Sequence, residues 1–128
     1  HPLAFQQNLS TEVLNRLEII TREQGSGTRY IMEKFFAAHQ LSPLMRIEIS
    51  GNETIKQAVI ANLGVSFVSS HTIIQELRNK QLTILDIQDT PVMREWHVVT
   101  PTRREASRAV DIFRQFVLEH VGEIINSL

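Results

Sequence analysis

Three short stretches of the chain carry residue types that hold small polar ligands. They are Glu23-Gln24-Gly25-Ser26-Gly27-Thr28, Ser50-Gly51-Asn52-Glu53 and Ser69-Ser70-His71, all rich in Ser, Thr, Gly or Asn. Each stands before a helix-patterned segment, so each offers unpaired backbone N–H groups and a hydroxyl at a helix start. Such a start suits a carboxylate, phosphate or sulfate group, or a polar neutral ligand. The same residues also cap helices with nothing bound, and capping is the plainer role for any one of them.

Catalytic patterns are missing around these stretches. Gly25-Ser26-Gly27 is not a nucleophile elbow, because Gln24 stands where that turn needs glycine. There is no Gly-x-x-x-x-Gly-Lys-Ser/Thr phosphate loop, and Tyr30 takes the third glycine place of a dinucleotide-binding loop. The histidines (His1, His39, His71, His97 and His120) lack metal-ligand spacing. Cysteine is absent, which excludes a disulfide scaffold, a thiolate metal site and a thiol nucleophile. No catalytic residue, metal or cofactor is therefore expected. Asp86 and Asp89 read as a solvated acidic pair. Trp96 reads as a core residue on a strand.

Size and charge narrow the class further. With 128 residues the chain suffices for one domain with a modest core. A net charge of −1 argues against this segment being the main surface for nucleic acid. No run approaches the roughly 18–20 apolar residues of a membrane span, and no signal peptide is visible. The chain begins with His1 rather than Met and reads as a piece of a longer protein.

The hydrophobic pattern supplies the elements that must position the three stretches. Thr11–Leu17 reads as a short helix capped by Ser10, and Leu17–Ile20 as a strand. Thr28–His39 has helical spacing at Ile31, Met32, Phe35 and Phe36. Met45–Ile49 alternates as a strand with one wetter face. Ser50 and Glu53 have the spacing of a capping box for a helix reaching about Asn62, with Gly64 just past its end. Val65–Ser69 reads as a short strand, and Ser70 caps a helix from His71 to about Asn79. Leu82–Ile87 and Arg94–Thr100 read as strands. A last helix runs from about Glu105 to Ile125, with an apolar stripe at Ala106, Ala109, Val110, Phe113, Phe116, Val117, Val121 and Ile124. Alternating strands and helices imply an α/β fold with a mainly parallel sheet flanked by helices. In such sheets ligands sit where strands end and helices begin, which puts all three stretches on one edge.

Several of these segments resemble the effector-binding domain of LysR-type transcription regulators. Arg22-Glu23-Gln24-Gly25-Ser26-Gly27-Thr28-Arg29 is similar to their Arg-Glu-x-Gly-Ser-Gly-Thr-Arg stretch. Ser50 through Val59 resembles their Ser-x-x-x-x-Ile-Lys-x-x-Val segment. Asn62 through Ser69 resembles the strand that follows, with Asn62 where glycine is usual. His1-Pro2-Leu3-Ala4 resembles the start of the second sensing subdomain, and the final helix fits the family's ending. The likeness covers essentially the whole chain.

The resemblance implies one lobe of a periplasmic-binding-protein-like effector domain. Residues 1–95 would be its second lobe, and 96–128 a returning strand and helix that in the family pack on a first lobe. It implies a cytoplasmic, oligomeric, non-enzymatic regulator that binds DNA through a helix-turn-helix domain outside this chain and a small-molecule effector between lobes. The effector contacts would be Ser50 first, then Gly51 and Asn52, then Gln24, Gly25 and Ser26, with Gly27, Thr28, Ser69 and His71 on the same edge. The motifs also resemble those of regulators of carbon-fixation and sulfur genes. A lone lobe would bind effector weakly, and the last helix would fold back, dimerise or swap to cover its stripe. The competing assignment is a solute-binding module of a transport system.

Overall fold

The computed structural model describes residues 1–100 and 107–127, with side chains described as far as residue 123. The chain divides into two compact units, His1–Val92 and Met93–Leu128. The first holds strand β1 (Glu18–Arg22), helix α1 (Gly27–Ala38), strand β2 (Leu44–Ile49), helix α2 (Asn52–Ile60), strand β3 (Val65–Ser66) and helix α3 (Ile74–Arg78). The second holds helix α4 (Arg108–Ser127).

The three strands form a parallel sheet in the order β2-β1-β3. β1 lies in the middle, hydrogen-bonded on both edges, and its central residues are covered on both faces. Ile19, Ile20 and Thr21 are all buried. Successive strand residues face opposite ways, and the two isoleucines accordingly serve different cores. Ile19 packs with Leu14, Met32, Phe35, Phe36, Leu41 and Ile87. Ile20 packs with Ile55 and Ala58, against half-buried Ile47, Ile49, Val59 and Val68. α1 thus covers one face of β1 and α2 the other, as right-handed crossovers to opposite sides of a central strand require. β2 is an edge strand whose Arg46 and Glu48 are exposed, the charge that keeps an edge from pairing with other chains.

Local chemistry sets the boundaries. Ser10 caps the 3-10 helix Thr11–Arg16, its hydroxyl accepting the Glu12 N–H at 3.3 Å. α2 ends at Asn62, which takes the left-handed conformation (φ 60) past the helix. Gly64 does not fill that role. It lies where β3 begins, and a Cβ there would stand 2.6 Å from the Glu18 carbonyl oxygen, so only glycine lets the chain run this close to β1.

Two expected strands are absent. Leu82–Ile87 shows a single bridge, Leu9 with Ile87, and Arg94–Thr100 has no regular structure. Alternation makes a strand only where another segment pairs with it, and among the described residues neither segment is paired beyond that bridge. Trp96 is 67% exposed rather than core, with the Arg94 guanidinium 4.7 Å from its ring centre. The acidic pair is not simply solvated either. Asp86 accepts the Asn8 N–H at 2.9 Å, and Asp89 lies 3.0 Å from His39 Nε2.

The last helix begins later than its spacing suggested. Ser107 precedes it, accepting the Val110 N–H on its hydroxyl at 3.4 Å and the Asp111 N–H on its carbonyl at 3.1 Å. Glu105 and Ala106 lie outside the described residues. Of the expected stripe, Ala109, Val110, Phe113 and Phe116 are exposed and Val117 and Val121 half-buried, while the Ile124 side chain lies outside the described residues.

Candidate functional site

Because β1 pairs in parallel with β2 and with β3, the carboxyl ends of all three strands lie on one edge. Strand order also reverses at β1, which sends one crossover to β2 and the next past it to β3. That is the place where open α/β sheets leave a crevice outside the strand ends.

The first turn leaves β1 at Arg22. It closes when the Ser26 N–H donates to the Glu23 carbonyl at 3.2 Å. Gln24 and Gly25 form its exposed tip, and Gly27 and Thr28 open α1. Ser26 is the N-cap by position and is buried, yet its side chain makes no capping hydrogen bond. The plain capping role therefore does not account for this hydroxyl.

The second turn differs from the capping box expected of it. Gly51, not Ser50, is the N-cap of α2, at φ +86, a conformation that side-chain-bearing residues rarely adopt. Glu53 turns instead to Lys56, 2.7 Å away, and to Gln57 at 3.4 Å. Ser50 is left exposed at the end of β2 with no capping duty. The third turn is the weakest. Ser69 precedes only a three-residue 3-10 turn and the five-residue α3, and it makes no side-chain cap bond. Helices this short give little N-terminal field. His71 is exposed, and among the described residues no side-chain hydrogen bond ties it or Ser69 to the other two turns.

Two residues that sequence reasoning left out hold the first two turns together. Arg22 donates from Nε and Nη2 to the two carboxylate oxygens of Glu23, each at 2.7 Å, and from Nη1 to Asn52 Oδ1 at 2.5 Å. The Arg22 pair holds the Glu23 carboxyl down to about 2, with help from the backbone N–H groups of Glu23 and Gly51. Arg29 donates to the Arg22 carbonyl at 3.1 Å and pairs with Glu33 (2.7 Å) and Glu48, joining α1 to the ends of β1 and β2. The signal was present in the sequence, since arginines flank the Glu23–Thr28 stretch at both ends.

The edge can thus bind a small polar or anionic group through the amides of α1 and α2, the hydroxyls of Ser26 and Ser50, and the Arg22 guanidinium. Among the described residues no cluster of His, Asp or Glu could hold a metal ion, and no helix is long and apolar enough to cross a membrane. A polar cavity of about 350 Å³, lined by Glu12, Asn15, Arg16, His39, Gln40 and Leu41, lies toward the opposite strand ends and contains none of the candidate residues.

Comparison with known proteins places this geometry in a family. Residues 1–122 match the LysR substrate binding domain. The chain is 48% identical over 120 residues to the HTH-type transcriptional regulator CbbR of Sinorhizobium medicae, covering 92% of this chain and 38% of that protein. It is 38% identical over 124 residues to a RuBisCO operon transcriptional regulator of Allochromatium vinosum, covering 97% and 41%. Among solved structures, the Synechocystis PCC6803 CcmR regulatory domain in complex with 2-PG superposes with a TM-score of 0.87 at 36% identity, over 93% of this chain and 57% of that one. The chain spans about two fifths of the length of these curated relatives, which are transcription regulators rather than enzymes. With the α/β parallel sheet already described, these matches show that the chain belongs to the LysR substrate-binding domain family.

Proposed function

We propose that the chain forms one wall of the effector cleft of a LysR-type transcription regulator and carries no catalytic activity. The observation that carries this reading is the convergence at one sheet edge of two helix starts, α1 and α2, whose serine hydroxyls are not used for capping. Ser50, Gly51 and Asn52 are assigned the main effector contacts. Gln24, Gly25, Ser26, Gly27 and Thr28 form the adjoining lip, with Ser69 and His71 at its margin. Residues 1–95 act as the second lobe, and 96–128 return to a first lobe that lies outside this chain.

The rest of the regulator supplies what this segment lacks. A helix-turn-helix domain binds DNA, and subunits associate as a cytoplasmic homo-oligomer. Effector acts by binding one arrangement of the lobes better than another, which shifts the population. The likeness to RuBisCO operon regulators supports a role in carbon-fixation genes, and the complex of the CcmR regulatory domain makes 2-PG the first effector to try.

The test is calorimetric titration of 2-PG into a regulator that contains this segment with its first lobe. Ser50→Ala and Asn52→Ala should each weaken binding about tenfold or more, since a hydrogen bond to a charged group is worth about 1.5–3 kcal/mol. The isolated chain should bind far more weakly. Unchanged affinity in both variants would overturn the assignment.

A further inference from the structure

Glu23 is not directed to solvent, although 34% of its side chain remains exposed. Both of its carboxylate oxygens lie in the fork of Arg22, each at 2.7 Å. The guanidinium meanwhile reaches Asn52, the first residue of α2. A planar pair of oxygens held by an arginine fork beside a helix start is the arrangement that a ligand carboxylate or phosphate would adopt there. Here the chain's own carboxylate adopts it.

We propose that Glu23 is an internal stand-in for the anionic group of the effector, occupying the Arg22 fork when the cleft is empty and giving way when an anion enters. This rests on the cleft reading above and deepens it. Arg22 becomes the residue that recognises the effector's charge, and Glu23 sets how much affinity an anion needs to displace it. The exchange asks for little movement, because the Glu23 backbone is fixed by the turn that Ser26 closes and only the side chain need swing outward. Glu23 itself stays ionised near neutrality, its carboxyl held at about 2, so any pH dependence of the exchange there comes from the incoming phosphate. A neutral polar ligand could not compete for the fork, so the effector is assigned to the carboxylates and phosphates.

A structural tie and an internal competitor predict opposite results. If the pair only braces β1 against α2, removing the carboxylate loosens the site and weakens anion binding. If it competes, removal strengthens binding. The experiment is titration of inorganic phosphate into the chain, followed by the Nε–Hε resonance of Arg22 in nitrogen–proton correlation spectra. Glu23→Gln should raise phosphate affinity at least tenfold. Glu23→Asp, which keeps the charge but is too short to span the fork well, should raise it less. Arg22→Gln should abolish the gain when combined with Glu23→Gln.

Folded Glu23 variants that bind phosphate no more tightly, or bind it without moving the Arg22 resonance, would overturn the proposal. A parallel titration of 2-PG into the longer regulator separates the two readings. Dependence on Ser50 without a gain from Glu23→Gln leaves the cleft standing and removes this role for Glu23. Loss of both removes the cleft as well.

Discussion

His39 shows how two hydrogen bonds can fix a charge. Its Nδ1 lies 2.8 Å from the Phe35 carbonyl oxygen and its Nε2 3.0 Å from Asp89 Oδ2. Both partners are acceptors, so both ring nitrogens are best used as donors, and that requires the imidazolium. The Phe35 carbonyl, then the Asp89 carboxylate, raise the His39 pKa above its ordinary 6.5. A raised value in the fold means that the stabilisation is complete below the unfolded value and is lost as pH rises through the folded one. Thermal melts of the wild type and His39→Gln should therefore differ most near pH 5–6 and converge in alkali. A gap that widens with pH would show that the ring is neutral in the fold. This role of His39 was not legible in the sequence. It depends on Asp89, which is fifty residues away in the chain and meets His39 only in the fold. Arg22 was missed for the same reason, since its partner Asn52 lies thirty residues on.

At the scale of elements, the pattern was informative where a segment carries its own instructions. Phe35 and Phe36 with Met32 mark the buried face of α1, and the glycine–serine turn marks its start, so that helix was readable to within a residue. β1 was readable from its β-branched Ile19-Ile20-Thr21 core just before a glycine-containing turn. The α2 cap was misread by one residue because Ser50 and Glu53 fit a capping box, whereas the left-handed turn at Gly51 and the pull of Lys56 on Glu53 decide the outcome. Leu82–Ile87 and Arg94–Thr100 were misread because alternation reports which side chains prefer burial, not whether a partner strand exists. The assignment of Ile20 to the α2 side gives an element-level prediction. Ile20 is fully buried, so Ile20→Ala should cost about 2–5 kcal/mol in urea unfolding. The same change at Ile47, half-buried on the edge strand, should cost clearly less. Equal losses would mean that β2 is held as tightly as β1.

For the molecule as a whole, α4 is the element with the least cover. Phe113 is 67% exposed and Phe116 51%, on a helix of 20 residues whose apolar positions recur at helical spacing. Contiguous apolar surface of this kind favours association. Sedimentation velocity should show the chain self-associating with rising concentration, and Phe113→Asp with Phe116→Asp should suppress this without lowering the melting temperature of the first unit. A monomer at all concentrations would show that the stripe tolerates water. The division after Val92 follows from which residues pack together.

The central place of β1 also bears on how the chain is made. β1 precedes both of its neighbours in the chain, β2 from Leu44 and β3 from Val65. Ile20 has its helix partner only once Ile55 and Ala58 are out, and the Glu18 carbonyl is covered only once Gly64 arrives. Until Gly64 has been synthesised, then, β1 has an open edge and Ile20 has only part of its cover, a form exposed to wrong pairing and dependent on chaperones.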